Sequence, residues 1–212
     1  MLFPKSKTAQ ISKTKTLGFT LVEMLVSISI FAIVSAVVLI RNNEFNSGIL
    51  FNNLAYEIAL SIREMQTYGI TVKAFQTDST TQSFQNGYGV YFDTNSIDGI
   101  YSFAQFTDID PRDGLYAGDG SSEKLFRLKL KPGNSIYRLC VNDSCSPVND
   151  LAITFVRPEP DAIMKSSTYS DPITKATIII QAPGTEMVRK CVVITKVGQI
   201  SVQNFTAGVC TP

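Results

Sequence analysis

The chain has 212 residues, which is enough for one sizeable domain and an N-terminal extension. It contains 19 basic and 18 acidic residues and no histidine. The near balance of charge disfavours a protein that binds nucleic acid through a strongly basic surface. The lack of histidine removes the commonest general base and metal ligand, so the composition gives little support for an enzyme.

The N-terminal segment is basic and leads into an apolar stretch. Residues 1–18 contain lysines and no acidic residue, and Phe19–Ile40 carry a single charged side chain, Glu23. As a helix, Phe19–Ile40 would span about 33 Å, which is sufficient to cross a bilayer. A carboxylate inside such a stretch costs about 2.5 to 3.5 kcal/mol, so we expect Glu23 to have a positively charged partner. If the chain is cut between Gly18 and Phe19, the new α-amino group lies one helical turn from Glu23 and can be that partner.

The sequence Gly18-Phe-Thr-Leu-Val-Glu23 resembles the cleavage and methylation site of type IV prepilins and type II secretion pseudopilins. The resemblance implies that a prepilin peptidase cuts after Gly18 and methylates Phe19, and that Glu23 acts in assembly. It also implies the pilin fold and two kinds of partner, namely other pilin or pseudopilin subunits and an inner-membrane assembly platform. The protein would begin as a single-pass inner-membrane protein, with a cytoplasmic N-terminus and its head outside. It would end in a cell-envelope or extracellular filament.

Two other interpretations explain the N-terminal segment less well. An ordinary membrane anchor would show the same lysines and apolar stretch, but it does not need a glutamate five residues after a glycine. A secretory signal would be cut after Ala36, yet Val37–Ile40 continue the apolar stretch beyond that position. The prepilin interpretation accounts for every feature of the segment.

An amphipathic pattern continues the helix beyond the apolar stretch. Apolar residues recur at spacings of three and four from Phe51 to Met65, and Gly69 is suited to end the helix. Polar residues between Arg41 and Gly48 predict a bend or local fraying. We therefore expect a leader at 1–18, one long helix at 19–68 that is transmembrane over 19–40, and a β-rich globular head at 69–212.

The head is predicted from short alternating segments and turns. The fold class is α+β, with the long N-terminal helix packed against a β-sandwich or meander head. The last segments are similar to the end of H-type minor pseudopilins and FimT-like minor pilins. We expect the apolar helix face to pack against Ile153, Phe155, Ile178, Ile180, Val193 and Ile200. The predicted strands are 88–92, 125–130, 136–141, 151–156, 176–180, 192–195 and 200–202, with a tight turn at 132–134.

An aspartate-rich loop is a candidate calcium site. Asp108, Asp110, Asp113 and Asp119 provide oxygen ligands around Gly114, which is the kind of ligand that calcium prefers. The spacing departs from the EF-hand pattern, and no glutamate closes the loop. The alternative is an ordinary turn-rich loop. Apart from calcium, no cofactor is predicted.

A row of basic residues is a candidate contact for nucleic acid. Lys124, Arg127, Lys129 and Lys131 lie close together, and strand alternation places the last three on one face. Such a row could bind phosphates. A solvent-exposed strand face that blocks aggregation explains it better.

The four cysteines, Cys140, Cys145, Cys191 and Cys210, indicate disulfide bonds, because an even number in a domain outside the cytoplasm is typical of them. Three pairings exist. We favour Cys140 with Cys145, which closes a short turn, and Cys191 with Cys210, which fixes the C-terminal tail. Zinc is less well supported, because the sequence has no histidine and no C-x-x-C motif.

Two hypotheses about function remain at this stage. The first is a structural subunit, a minor pilin or pseudopilin that is processed and then assembled through its N-terminal helix. The alternative is a membrane-anchored binding module whose head captures DNA or a surface ligand. The sequence shows no nucleophile–base pair and no phosphate-binding loop, so we do not expect an enzyme.

Overall fold

A computed structural model describes residues 18–71, 75–76, 82–83, 86–109, 112–183 and 188–211. The chain divides into two compact units, residues 1–45 and 46–212. Helix α1, Leu21–Ile70, supplies most of the described part of the first unit and the beginning of the second. The local fraying that the polar sequence predicts at residues 41–48 is not seen, because α1 is helical throughout this stretch.

The first unit presents an exposed apolar helical segment. Leu21–Leu39 has a mean hydropathy of 2.5, and none of it is buried. Its 19 residues correspond to about 28 Å of helix, so by length and composition it can cross a membrane.

The second unit begins with the amphipathic half of α1, as the spacing predicts. Its buried apolar face is at most 2% exposed and consists of Phe51, Leu54, Ala55, Ile58, Ile62 and Met65. Gln66 fixes this half to two loops, because its Nε2 donates hydrogen bonds to the carbonyl oxygens of Pro160 and Gly198. At Gly69 a Cβ atom would lie 2.5 Å from the carbonyl oxygen of Phe155. The close approach of the helix to a strand therefore requires glycine at this position.

The rest of the second unit is antiparallel β-structure with one short helix, α2, Ile97–Ile100. In chain order the strands are β1 Phe75–Gln76, β2 Gln82–Ser83, β3 Gly87–Asp93, β4 Ser102–Asp108, β5 Lys124–Lys129, β6 Ser135–Val141, β7 Ser146–Val148, β8 Asp150–Phe155, β9 Ala162–Lys165, β10 Lys175–Gln181, β11 Arg189–Thr195, β12 Ile200–Thr206 and β13 Val209–Thr211. They form a five-stranded sheet in the order β5-β4-β3-β8-β9, a six-stranded sheet in the order β13-β12-β11-β10-β6-β7, and a β1-β2 pair.

One hydrophobic core joins α1 to both large sheets. The face of α1 that carries Ile58 and Ile62 packs in the same cluster as Ile153 of the five-stranded sheet and Ile178 of the six-stranded sheet. The predicted α+β class is confirmed, because an N-terminal helix is combined with a head of antiparallel sheets. The turn at residues 132–134 is present, but it connects β5 of one sheet to β6 of the other instead of joining a paired hairpin.

The core prediction is wrong for Val193. Alternation along β10 places Ile178 and Ile180 in the main core and Ile179 on the opposite face. Val193 is 3% exposed and lies with Ile179 and two cysteines in a second cluster on that opposite face. Ile200 is only partly buried, although it does pack against the main core.

Candidate processing and assembly site

The helix begins immediately after the predicted cleavage position. Thr20 precedes the first helical residue, and its Oγ1 accepts a hydrogen bond of 3.2 Å from the backbone N–H of Glu23. The carbonyl oxygen of Thr20 accepts the N–H of Met24 at 3.2 Å. Thr20 therefore caps the N-terminus of α1, since it satisfies a backbone donor that has no partner within the helix.

Gly18 and Phe19 lie outside this capped helix. Phe19 is 79% exposed, and a Cβ atom at Gly18 would meet nothing within 4 Å. The bond between them is thus accessible and is not held in a helix. Because the structure around Gly18 has room for a side chain, a need for glycine here would come from the processing enzyme and not from this fold.

Glu23 lies in the first turn of α1 and is exposed. A carboxylate at this end of a helix is favoured by the partial positive charge of the free N–H groups. Phe19 precedes the capping residue Thr20, so the i, i+4 relation to Glu23 would arise only if the helix extended to Phe19 after cleavage. Gly18, Phe19 and Glu23 lie at the N-terminal end of α1, while residues 1–17 of the leader lie outside the described residues.

One signal at this site can be seen in the sequence but was missed. Thr20-Leu-Val-Glu23 matches the capping-box pattern, in which a threonine is followed three residues later by glutamate. The pattern marks the start of the helix independently of any resemblance. The structure shows the threonine half of the pattern, the bond from the backbone N–H of Glu23 to Thr20.

The two disulfides are Cys140–Cys145 and Cys191–Cys210, with Cα–Cα distances of 4.6 Å and 6.0 Å. This is the pairing that the sequence analysis favoured. All four cysteines belong to the second cluster, on the face of the six-stranded sheet that points away from the main core. One bond closes the turn between β6 and β7, and the other fixes β13 to β11.

The candidate calcium ligands have other partners in the described structure. Asp119 accepts hydrogen bonds of 2.7 Å from Arg127 and from the hydroxyl of Tyr116, and the Arg127 bond is the main reason why its pKa is lowered. Asp113 accepts the N–H of Leu115. Asp110 lies outside the described residues, and among those described no group of three or more acidic, histidine or cysteine side chains could hold a metal ion. A calcium site on this loop stays a prediction, and a calcium-induced rise in melting temperature is its test.

Asp108 is a buried acid at the end of β4. It is 2% exposed, and one carboxyl oxygen accepts the N–H of Gly114 at 3.0 Å. The other oxygen has no hydrogen-bond partner among the described residues. The pKa of Asp108 is raised to about 6, mainly by burial and also by the charges of Glu123 and Asp113, although the Gly114 bond lowers it.

Three members of the basic row are paired with acidic residues. Arg127 and Lys124 form salt bridges with Asp119 at 2.7 Å and 3.6 Å. Lys131 forms a salt bridge of 3.4 Å with Glu57 of α1. Arg127 is also partly buried and donates a hydrogen bond to Ser102. These basic side chains therefore contact other parts of the folded chain. The contacts offer no specific support for binding nucleic acid.

Comparison with known proteins gives one match. Residues 13–39 match the family model described as the prokaryotic N-terminal methylation motif. No curated protein and no solved structure matches the chain significantly. The matched residues contain Gly18, Phe19 and Glu23 and extend to the end of the exposed apolar helical segment. The N-terminus of this chain thus carries the signature of type IV pilins and pseudopilins.

Proposed function

We propose that this chain is a structural subunit, a minor pilin or pseudopilin, of a type IV pilus or a type II secretion-like filament. A prepilin peptidase removes residues 1–18 and methylates Phe19, and the mature protein assembles through its N-terminal helix. The observation that carries the proposal is the methylation motif at residues 13–39, in which the accessible Gly18–Phe19 bond precedes a capped helix.

The exposed apolar segment of α1 supports anchoring in the membrane before assembly. Leu21–Leu39 is entirely unburied in the isolated chain, so in water it would expose a large apolar surface. The lipid bilayer covers that surface first, and neighbouring helices in a filament cover it afterwards. The assembly platform of the inner membrane would perform the transfer between the two.

The head supports an extracytoplasmic location. Its two disulfides are typical of proteins in oxidising compartments. The lysines that precede Gly18 would stay in the cytoplasm by the positive-inside rule, which directs the head to the outside. The packing of the amphipathic half of α1 on antiparallel sheets is compatible with a pilin-type head.

Fractionation of the producing cells tests this function. We expect the mature chain in the sheared or detergent-resistant filament fraction, together with other pilin-type subunits. Deletion of the prepilin peptidase should leave the unprocessed chain in the inner membrane. A mature chain that stays in the membrane fraction while filaments form without it would contradict the proposal.

A further inference from the structure

A groove separates the second half of α1 from β5, the edge strand of the five-stranded sheet. It encloses about 240 Å³. Apolar side chains line both of its walls, with Leu54 and Leu60 on the helix and Phe103, Leu128 and Leu130 on the sheet side. Leu60 is 69% exposed and Leu128 is 36% exposed, so the groove is open to solvent.

The groove exists because α1 covers β4 but leaves β5 uncovered. Gln105 on β4 donates hydrogen bonds to Ser61 and Glu64 of α1. In the register of β4 with β5, Gln105 lies opposite Phe126. Phe126 therefore points to the helix side of the sheet, yet it is 67% exposed. The edge strand presents an apolar face that the described part of this chain leaves open.

The charged side chains of the helix wall have partners within the chain. Glu57 forms its salt bridge with Lys131. Glu64 accepts hydrogen bonds from Gln105 and from the hydroxyl of Tyr68. Lys129, the remaining charged lining residue, lies opposite Ser102 in the register, so alternation directs its side chain to the other face from Leu128. The rest of the lining is mainly apolar, so the groove is best matched by an uncharged apolar surface.

We propose that this groove, the α1–β5 groove, receives the uncharged apolar N-terminal helix of a neighbouring filament subunit. The inference rests on the proposed function, which requires such helices to leave the lipid. Leu21–Leu39 of this chain is an example of the partner segment, since Met24–Leu39 carries no charged side chain and none of it is buried. An apolar groove that takes the apolar face of a helix is a common mode of recognition.

Site-specific photo-crosslinking in the producing cells tests the contact. A photoreactive phenylalanine analogue replaces Phe126, and the control is the same analogue at Val197, which is similarly exposed at 68% but lies in the turn between β11 and β12. We expect crosslinks from position 126, in the filament fraction, to the N-terminal apolar segment of another subunit. Crosslinks from position 126 to the head of another subunit, or none in filaments that contain the protein, would overturn the inference.

A pair of charge insertions tests whether the contact matters. We expect Leu60→Glu to reduce filament incorporation at least tenfold, with N-terminal processing and melting temperature unchanged, because it places a charge in the apolar groove. Val197→Glu introduces the same charge elsewhere and should incorporate normally. Equal incorporation of both variants would refute the role of the groove, whereas absence of the wild-type chain from filaments would refute the proposed function itself.

Discussion

The backbone N–H of Glu23 donates to the capping Thr20, a bond that does not depend on the side chain at position 23. The carboxylate of Glu23 lies in the first turn of α1, where the partial positive charge of the helix N-terminus favours it. In an apolar stretch the charge costs about 2.5 to 3.5 kcal/mol, so a second benefit must offset it. Pairing with the α-amino group of Phe19, within a subunit or between adjacent subunits, provides that benefit.

Two substitutions of Glu23 separate the effect of its charge from that of its size. We expect Glu23→Ala to be cleaved normally but to enter the filament several-fold less than wild type. Glu23→Gln, which keeps the length and polarity of the side chain, should be equally impaired because it lacks the charge. The ratio of mature protein in filament and membrane fractions measures the effect, and normal incorporation of either variant would show that the charge has no role in assembly.

Asp108 makes stability depend on pH with an unusual sign. Its pKa of about 6 in the folded protein lies above the ordinary value of 3.8, so the folded state keeps a proton that the unfolded state has lost. The stabilisation from that proton is complete below about pH 4 and disappears as the pH rises to about 6. Asp108→Asn cannot ionise, so its melting temperature should rise relative to wild type across this interval. Asp171→Asn, at an exposed position, is the control, and parallel curves for wild type and Asp108→Asn would contradict the account.

At the scale of elements, β13 is the part of the head that depends most on a covalent bond. It has three residues, and Val209 is 61% exposed, so β13 buries little apolar surface. Its connection to the rest of the sheet is the pairing with β12 and the Cys191–Cys210 bond. The Cys140–Cys145 bond, in contrast, closes a turn between two strands that already pair with each other.

The two disulfides should differ in their contribution to stability. They close loops with sequence separations of 19 and 5 residues, and a longer loop loses more entropy in the unfolded chain when it is closed. We expect the double serine variant of Cys191 and Cys210 to lose about 3 kcal/mol, and that of Cys140 and Cys145 about 2 kcal/mol. Urea unfolding measures both, and the opposite order would show that native contacts, not loop closure, decide the effect.

The elements that the sequence predicts well have either one buried face or an unbroken apolar stretch. The second half of α1 shows the expected spacing because one side faces the core, and β10 is recognisable as a short apolar stretch that is buried on both faces. Strand β4 is also buried on both faces, but it was missed because polar residues interrupt its apolar ones. Its polar Gln105 is accommodated by hydrogen bonds to Ser61 and Glu64, which are 44 and 41 residues away. Contacts of this kind cannot be deduced from local pattern.

The two candidate sites, the processing site and the aspartate-rich loop, could be predicted from the sequence to different degrees. Gly18, Phe19 and Glu23 are neighbours in the sequence, so the motif alone places them together at the start of α1. The aspartates of the loop are not placed by their spacing, since Asp119 binds Arg127 from the adjacent strand and Asp108 turns into the protein. The partners of these acids come from elements whose pairing the sequence does not reveal.

At the scale of the whole molecule, one helix serves two surroundings. Its first part is apolar and unburied, whereas its second part buries one face in the head. The second part supplies Phe51, Ile58 and Ile62, which are among the large and fully buried side chains of the core. The head and the amphipathic half of α1 therefore form a single folding unit.

Truncation tests this division. A protein that begins at Arg41 keeps the buried helix face and lacks the apolar segment, so it should be soluble and monomeric. A protein that begins at Gly69 loses that face and exposes the core, so it should aggregate or express poorly. Size-exclusion chromatography with light scattering distinguishes the two, and a soluble, monomeric protein beginning at Gly69 would contradict the packing described here.

The N-terminus of the mature protein tests the central claim most directly. Mass spectrometry of the protein from producing cells should show that residues 1–18 are absent and that the chain begins at a methylated Phe19. Gly18→Leu should retain the leader although the fold has room for the side chain, because nothing lies within 4 Å of a Cβ atom at that position. A wild-type chain that keeps its leader, or that begins at Val37 after cleavage by a signal peptidase, would contradict the claim that this is a prepilin.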